Sequence, residues 1–354
     1  MKNVLYLGPE YKNHRGGIGA VLEVYSRNAV PFKFIPTYSN KSFPHKLYVY
    51  IRAACLLIYT LITDRSIKIV HIHSASRGSF MRKSFLLMIS KLFGKKVIIH
   101  IHGAEFHIFY AKAGWLRAYI RFILQKADVV ICLSNKWKEY FTSNFKIKEL
   151  AIINNVIEKA PGGPLISGNG NGHVNFLFLG FIGNRKGIFD FLEVLQNNRA
   201  SFDGKYTVTV GGNGEVERLQ QVIADYHPNG DVQYAGWVNG DKKVELLQRC
   251  DVYVLPSYNE GLPISVLEAL AYGKPVISTN VGGIPEIVKP GYNGWIFEPG
   301  NKAELQHIVQ EVLLDKNVWK EYGTHSLIIS KNYTPESVFQ SLDILYKKLD
   351  NEQL

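Results

Sequence analysis

The strongest constraint on the fold is a layout that the sequence contains twice. An apolar run, a glycine, a glycine-bearing loop and a helical pattern follow one another in "MKNVLYLGPEYKNHRGG" and again in "VNFLFLGFIGNRKG", which begins at Val174. Short, continuously apolar runs alternate with helical stretches through both halves, which is typical of parallel sheets covered by helices on both faces. We therefore predict an α/β protein with two doubly wound domains, each beginning with its own first strand.

The boundary between these domains falls in a segment rich in Gly, Pro and Asn. Residues 160–173 read "APGGPLISGNGNGH", which is a linker composition. The predicted domains are therefore residues 1–160 and 174–335. A chain of 354 residues is long enough for each half to bury a core of its own.

The net charge is distributed unevenly between the halves. Residues 1–158 contain 24 Lys and Arg against 8 Asp and Glu (+16), whereas the rest contains 17 against 22 (−5), and the two sum to +11. Residues 76–96 and 110–126 mix cations, aromatics and apolar side chains, as helices on anionic membranes do. Packed helices with snorkelling lysines are the alternative. No recognisable nucleic-acid motif accompanies the basic half, so nucleic acid is not an expected partner.

Three separated cysteines and one long apolar stretch indicate where in the cell the protein is expected and whether it crosses a membrane. Cys55, Cys132 and Cys250 lack metal-ligand spacing, which favours a reducing cytoplasm without disulfides. The apolar run at the N-terminus is too short for a signal-peptide core. Residues 47–63 are interrupted by Arg52 and fall short of the roughly 20 residues that span a bilayer, so we predict a buried helix there.

Candidate binding residues lie in the loops after the strands, because ligands of such sheets bind beyond the carboxyl ends of the strands. In the first half, Gly16 and Gly17 let the backbone approach an anion at a helix start. A flexible turn is the alternative, since Leu22 occupies the place of the third glycine of a dinucleotide fingerprint.

The corresponding loop of the second half carries two cations. Arg185 and Lys186 lie beside Gly187 at a helix start and predict a clamp for a diphosphate, with solvated surface charges as the alternative. A further glycine cluster that includes Gly212 follows another strand and is a candidate wall of the same site. A tight turn without a ligand is the other interpretation of that cluster.

Two strands each carry a pair of histidines. His100 and His102 alternate along "KVIIHIHG" and therefore face the same side, with His102 nearer the carboxyl end. A histidine there can donate to a sugar hydroxyl or exchange a proton near neutral pH, whereas a hydrogen-bonded core residue is the commoner role. His71 and His73 form a similar pair. The pairs lack HExxH spacing and the chain has no DxD, so no metal site is predicted.

Two glutamates, Glu260 and Glu268, follow the apolar strand "CDVYVLP". Pro263 suits the first turn of a helix and Gly273 its end. Eight residues at 100° each return to within about 80° of the start, so we predict that both carboxylates approach one side. Glu268 interrupts "ISVLEALA" and needs hydrogen-bond donors, which sugar hydroxyls supply. For Glu260, a favourable position near a helix start is the alternative.

The segment "PSYNEGLPISVLEALAYGKPVISTNVGGIPEIV" closely resembles the signature of glycosyltransferase family 4, including the spacing of Glu260 and Glu268. The "GG" loop, "HIHGAEF", "GNRKG", "VGGNGE" and "GWV" occur in the expected order. The resemblance implies a GT-B fold, in which two Rossmann-like doubly wound domains face each other across a cleft. The first domain would bind the acceptor and the second the nucleotide sugar. A C-terminal helix, residues 336–354, would pack back on the N-terminal domain.

The resemblance also implies roles for single residues. Glu260 would contact the transferred sugar, with His102 near it, while Glu268 would hold the ribose and Lys186 the phosphates. The other implied donor-binding residues are Gly16, Gly17, Arg185, Gly212, Trp237, Val238, Gly261, Leu262, Pro263 and Ile264. One position departs from the family, because Phe181 stands where an arginine is usual. Arg185 is the expected replacement in the diphosphate clamp.

The implied activity is retaining, metal-independent transfer of a hexose from a nucleotide diphosphate sugar, with UDP as the expected nucleotide and no cofactor. The acceptor would be a hydroxyl of a glycan or of a lipid-linked molecule in bacterial surface polysaccharide synthesis. The expected location is the cytoplasm, peripherally at the inner face of the cytoplasmic membrane. Two alternatives stay open: a nucleotide-sugar epimerase with the same fold, and a non-catalytic nucleotide-sugar-binding subunit, which Phe181 favours.

Overall fold

A computed structural model describes residues 2–12, 16–160, 173–315 and 317–351. The chain divides into two compact units. Unit 1 comprises Met1–Ile157 together with Thr334–Leu354, and unit 2 comprises Glu158–Tyr333. Most of the segment predicted as a linker, residues 161–172, lies outside the described residues.

Unit 1 is built on one parallel sheet of six strands. The strands are β1 (Val4–Pro9), β2 (Lys33–Tyr38), β3 (Ile69–Ser74), β4 (Lys96–Ile101), β5 (Val129–Cys132) and β6 (Leu150–Ile152). The helices between them are α1 (Gly17–Asn28), α2 (Phe43–Thr63), α3 (Gly78–Leu92), α4 (Phe106–Ala111), α5 (Leu116–Lys126) and α6 (Asn135–Asn144). The strand order is β2-β1-β3-β4-β5-β6. Parallel neighbours require crossover connections, which the helices provide.

Strand β2 was not anticipated from the sequence. It carries Pro36, which cannot donate to a neighbouring strand, and its residues are only partly buried. Both properties fit its place at the edge of the sheet, where β1 is its neighbour. Central strands such as β5, whose four residues are all buried, have the continuously apolar sequences that made them predictable.

Unit 2 repeats this architecture with its own six-stranded parallel sheet. Its strands are β7 (Val174–Ile182), β8 (Tyr206–Gly214), β9 (Val232–Tyr234), β10 (Val252–Leu255), β11 (Val276–Thr279) and β12 (Gly294–Phe297). Its helices are α7 (Ile188–Asn197), α8 (Arg199–Phe202), α9 (Val216–Tyr226), α10 (Gly240–Arg249), α11 (Ile264–Ala271), α12 (Ile284–Ile287), α13 (Lys302–Leu314) and α14 (Val318–Ser330). The order is β12-β11-β10-β7-β8-β9. The prediction of two parallel α/β sheets is therefore confirmed.

Helix α2 contradicts the prediction of a buried helix. Only Ala53, Leu57 and Leu61 are buried, while much of its apolar surface is exposed. Among the described residues, α2 is the helix that is long and apolar enough to cross a membrane by length and composition. The prediction was wrong because composition alone does not reveal that a single narrow face of the helix packs on β2 and α3.

The last helix, α15 (Pro335–Asn351), belongs to unit 1. The hydroxyl of Tyr346 lies 2.6 Å from Nδ1 of His71 on β3, and Lys348 Nζ lies 2.7 Å from Glu149 Oε1. Leu342 on the same helix is fully buried. The two ends of the chain thus build one core.

Candidate functional site

The loops that follow β7 and β10 meet at the point where the strand order of unit 2 reverses. The backbone N–H of Tyr258 donates to the carbonyl of Arg185 over 2.9 Å. Gly187 has a φ of +71°, and a Cβ there would lie 1.9 Å from the carbonyl oxygen of Pro256. Only glycine fits this close approach. Such a switch point is the usual ligand position on an open α/β sheet.

A largely buried ion pair joins these two loops. Oε1 of Glu260 lies 2.5 Å from Nζ of Lys186 and 2.7 Å from Oγ of Ser257. The side chains of Lys186 and Glu260 are only 13% and 6% exposed. Burying a charge is costly unless it is paired and hydrogen-bonded, so each of these two groups depends on the other. The two residues that the resemblance assigns to phosphate and sugar therefore lie in direct contact.

A third loop, which follows β11, packs against the backbone of Glu260 and Gly261. Gly282 has a φ of +54°, and a Cβ there would lie 2.0 Å from the carbonyl oxygen of Glu260. The N–H of Gly283 donates to the carbonyl of Gly261 over 2.7 Å, and the hydroxyl of Thr279 donates to the carbonyl of Ser257. Gly282, Gly283 and Thr279 were not among the predicted site residues. The two adjacent glycines shortly after β11 are the sequence signal that could have indicated this loop.

Glu268 has a different partner from Glu260. Its Oε1 lies 2.6 Å from Nζ of Lys243 on α10. Glu260 lies in the loop before α11, which starts at Ile264 after Pro263 as N-cap. Helical spacing therefore does not relate the two carboxylates, because Glu260 precedes the helix. The loop of Glu260 to Pro263 instead leads directly into the start of the helix that carries Glu268.

The remaining predicted residues of unit 2 lie along the same edge of the sheet. Gly261 and Leu262 are buried in the loop before α11. The N–H of Gly212 donates to the carbonyl of Gly236 over 2.8 Å, which joins the ends of β8 and β9. Just beyond, Trp237 is 37% exposed and Val238 is buried. Loops from β7, β8, β9 and β10 thus adjoin because their strands are neighbours.

Arg185 and Lys186 contact different groups although they are adjacent in sequence. Nη1 of Arg185 donates to the carbonyl of Asn259 over 3.2 Å. Arg185 also lines an open cavity of about 570 Å³ together with Asn184, Gly187, Phe189, Asp190, Glu193, Arg218, Tyr258 and Lys302. Phe181, in the place of the family's arginine, is 47% exposed.

In unit 1, Gly16 and Gly17 lie at the start of α1, after β1. Gly16 is the N-cap residue and its backbone is extended. A Cβ at Gly16 would have no atom of the described structure within 4 Å, so packing there does not demand glycine. Residues 13–15 of the predicted loop lie outside the described residues.

Four histidines of unit 1 form one stack. The rings of His100 and His102 have centroids 4.0 Å apart, and those of His71 and His73 are 4.5 Å apart, which confirms that each pair faces one side. Because β3 and β4 are neighbours, the two pairs join: Nδ1 of His73 lies 2.9 Å from Nε2 of His102. Nδ1 of His102 lies 3.1 Å from Oδ1 of Asn155. The sequence did not reveal this joining, since it depends on the strand order.

Three members of the stack, His71, His73 and His100, have ring nitrogens within 4.8 Å of one another. Metal ligands must direct their lone pairs, which lie in the ring planes, at one point. The planes of His71 and His73 are only 11° apart and stacked, and those of His71 and His100 are 21° apart. Lone pairs in stacked planes do not converge, so this arrangement suits a hydrogen-bonded core better than a metal.

Two family models match the chain. Residues 14–160 match Glycosyltransferase Family 4, and residues 167–326 match Glycosyl transferases group 1. The chain belongs to glycosyltransferase family 4. The glycosyltransferase therefore carries both halves of the family pattern, in the order that the sequence motifs indicated.

Known relatives and structures agree with this assignment. The glycosyltransferase MJ1178 of Methanocaldococcus jannaschii is 24% identical over 82% of this chain and 78% of its own length. The Campylobacter jejuni N,N'-diacetylbacillosaminyl-diphospho-undecaprenol alpha-1,3-N-acetylgalactosaminyltransferase is 31% identical over 46% of this chain and 43% of its own.

Solved structures match over almost the whole chain, among them the following two. Sucrose-phosphate synthase from Thermosynechococcus elongatus has a TM-score of 0.80 at 17% identity, covering 99% of this chain and 100% of its own. Anabaena Alr3699/HepE, in complex with UDP, has a TM-score of 0.77 at 16% identity, covering 98% and 100%. The glycosyltransferase therefore has the GT-B fold.

Burial sets the protonation of the histidine stack in the glycosyltransferase. It lowers the pKa of His71 and of His102 to about 3, and it lowers the pKa of His73 and of His100 well below the ordinary value. His102 is thus neutral at pH 7 and can act there as a hydrogen-bonding group, not as an imidazolium.

We expect the stability of unit 1 to fall steeply on mild acidification. Between the ordinary histidine pKa near 6.5 and the lowered values, the unfolded chain binds protons that the folded stack does not, so stability is lost as the pH falls below about 6.5. Each histidine contributes a slope of up to about 1.4 kcal/mol per pH unit. Urea unfolding between pH 7.5 and pH 5 measures this slope.

The variant His100→Asn should reduce that slope by up to about 1.4 kcal/mol per pH unit, which is the contribution of one proton. His45→Asn, which replaces a histidine of α2 outside the stack, is the control. An unfolding free energy of the wild type that stays constant over this pH range would contradict the neutral stack.

Proposed function

We propose that this glycosyltransferase transfers a hexose from a UDP-sugar to a hydroxyl of a glycan or lipid-linked acceptor, with retention of configuration and without a metal. The observation that supports this best is the buried pair of Lys186 and Glu260 at the switch point of unit 2. A carboxylate there suits sugar hydroxyls, and an ammonium suits a diphosphate. The bound UDP and UDP-glucose in structures of Anabaena HepE support the donor class.

In the proposed mechanism, the negative charge that develops on the departing diphosphate is stabilised by Lys186 and by the first N–H groups of α11. Arg185 replaces the arginine that is absent at Phe181 and binds the same diphosphate. Glu260 holds the sugar hydroxyls so that the anomeric carbon is oriented for attack.

The other predicted residues complete the proposed donor site. Glu268 accepts from the ribose hydroxyls. Its carboxylate then either breaks the ion pair with Lys243 or accepts from Lys243 and the ribose together. Backbone groups at Trp237 and Val238 take the base. In unit 1, His102 contributes a neutral hydrogen-bonding group to the transferred sugar, and Gly17 lets the backbone approach the diphosphate.

The acceptor proposal rests on one relative. The name of the Campylobacter jejuni enzyme describes a lipid-linked sugar, attached to undecaprenol through a diphosphate, as its acceptor. We propose an analogous acceptor for this chain, in the synthesis of bacterial surface polysaccharides, with a donor from the cytoplasm. A soluble glycan is the other acceptor within the proposal.

The test combines a panel of nucleotide sugars with both acceptor types. A bound donor should first raise the thermal unfolding temperature, because binding to the native state stabilises it. With an acceptor present, we expect release of UDP in the presence of EDTA, and NMR of the product should show the donor's anomeric configuration. Loss of turnover with EDTA or an inverted product would contradict the metal-independent or the retaining part. Epimerised donor, or binding without transfer under all conditions, would favour the two alternative functions.

A further inference from the structure

The solvent side of α2 is a continuous apolar strip. Seven of its large apolar side chains are 38–78% exposed. At 100° per residue they fall within an arc of about 160°. They are Phe43, Leu47, Tyr48, Ile51, Ile58, Tyr59 and Ile62.

This strip is larger than an ordinary surface contact. A helix of 21 residues is about 30 Å long at 1.5 Å per residue. Singly exposed apolar residues are normal, but a contiguous apolar patch of this extent marks a site of protein or membrane interaction. Large apolar side chains are also exposed on α3, which packs on α2, and on α5, which packs on α3: Phe85, Leu92 and Phe122.

The same three helices carry only positive charge. Helix α2 packs on α3, with the Tyr50 hydroxyl donating to the Arg82 carbonyl, and α3 is joined to α5 through the hydroxyls of Ser84 and Tyr119, 2.7 Å apart. Their sequences contain no Asp or Glu. Besides Lys83, which is buried, and Lys91, which pairs with Asp128, they contain six basic residues: Lys46, Arg52, Arg82, Arg117, Arg121 and Lys126.

We propose that the solvent side of α2, α3 and α5, which we call the α2 face, docks on an anionic lipid bilayer with the apolar strip of α2 between the headgroups. Basic amphipathic helices bind in the plane of such interfaces, with the apolar side in the acyl boundary and the cations near anionic headgroups. Arg52 and Arg121 are exposed for this role. The α2 helix lies on the bilayer and does not cross it, because Ala53, Leu57 and Leu61 pack into unit 1.

Flotation with vesicles tests this surface without donor or acceptor, so its outcome is independent of the proposed activity. We expect the wild type to float with vesicles of equal parts phosphatidylglycerol and phosphatidylcholine at low salt. Binding should weaken greatly with phosphatidylcholine alone, or in 1 M NaCl, where the Debye length is about 3 Å. The double variant Ile58→Asp/Ile62→Asp should bind the anionic vesicles at least about tenfold more weakly. Each substitution removes the free energy that an isoleucine side chain gains on transfer from water into the bilayer.

The matched control is Ile344→Asp on α15. Ile344 is 64% exposed on the same unit, but its helix contains acidic residues and it lies outside the α2 face. It should float like the wild type, and circular dichroism should show native folding for all variants. The proposal is overturned if the wild type stays unbound at low salt, or if the α2 variant floats as well as the wild type. It is also overturned if the α2 substitutions only convert a dimer to a monomer in sedimentation, because the face then joins two copies of the chain.

Discussion

Replacing Glu260 with glutamine is expected to reduce sugar transfer at least about a hundredfold and, since Lys186 loses its buried counter-ion, to lower the unfolding free energy of unit 2 without unfolding it. The amide keeps the shape of the side chain and can still accept from Lys186 and Ser257, but it has no charge to strengthen the hydrogen bonds from sugar hydroxyls. Losing charge-assisted contacts worth about 3–4 kcal/mol in the transition state lowers kcat/KM by about 10²–10³. Release of UDP in the presence of acceptor measures the rate, and circular dichroism measures the folding.

A matched glutamate tests whether the effect is local. Glu245 on α10 is 52% exposed and pairs only with Arg249 on its own helix among the contacts described. Glu245→Gln should transfer sugar at the wild-type rate. If Glu260→Gln retains wild-type turnover, Glu260 has no part in binding the transferred sugar and the proposed function loses its main support.

Replacing Lys186 with methionine is expected to destabilise unit 2 and to weaken donor binding together. The substitution leaves the carboxylate of Glu260 buried with Ser257 as its remaining described side-chain partner. Breaking a buried pair from one side costs about 3–5 kcal/mol in the free energy of unfolding. Adding Glu260→Gln should restore much of this loss, because the uncompensated charge is removed, but it should not restore transfer. Urea unfolding of the two single variants and the double variant gives the coupling energy between the residues.

Replacing the adjacent cation, Arg185, tests binding of the diphosphate with little effect on the stability of unit 2. Arg185 contacts a backbone carbonyl, so Arg185→Met should change the unfolding free energy far less than Lys186→Met. If Arg185 binds the diphosphate as proposed, the same variant should raise the Kd for UDP by about tenfold, the equivalent of one charge-assisted hydrogen bond. Unchanged UDP affinity would remove Arg185 from the donor site, and additive effects of Lys186→Met and Glu260→Gln would show that the ion pair does not couple them.

The parallel sheets were predictable because their central strands are buried on both faces. Runs such as that of β10 are continuously apolar, and glycine-bearing loops follow them in both halves. The switch point then follows from the strand order, which local sequence patterns do not contain. The contact between Lys186 and Glu260 depends on β7 lying beside β10, although the residues are 74 positions apart.

Three features were beyond local patterns for identifiable reasons. The spacing of Glu260 and Glu268 suggested a shared helical face, but the helix begins only at Ile264. The edge strand β2 contains a proline and is half-buried, so it lacks the signal of a central strand. Helix α2 has the composition of a core helix, yet its exposure depends on which neighbours cover it.

The return of α15 to unit 1 means that unit 2 is an insertion within the chain of unit 1. Residues 158–333 are contiguous, whereas the core of unit 1 joins His71 on β3 to Tyr346 near the C-terminus. During synthesis from the N-terminus, the inserted unit can complete its sheet before α15 has left the ribosome. The histidine stack acquires its tyrosine partner only after α15 has been made, so unit 1 is completed after unit 2 although β1 precedes β7 in the chain.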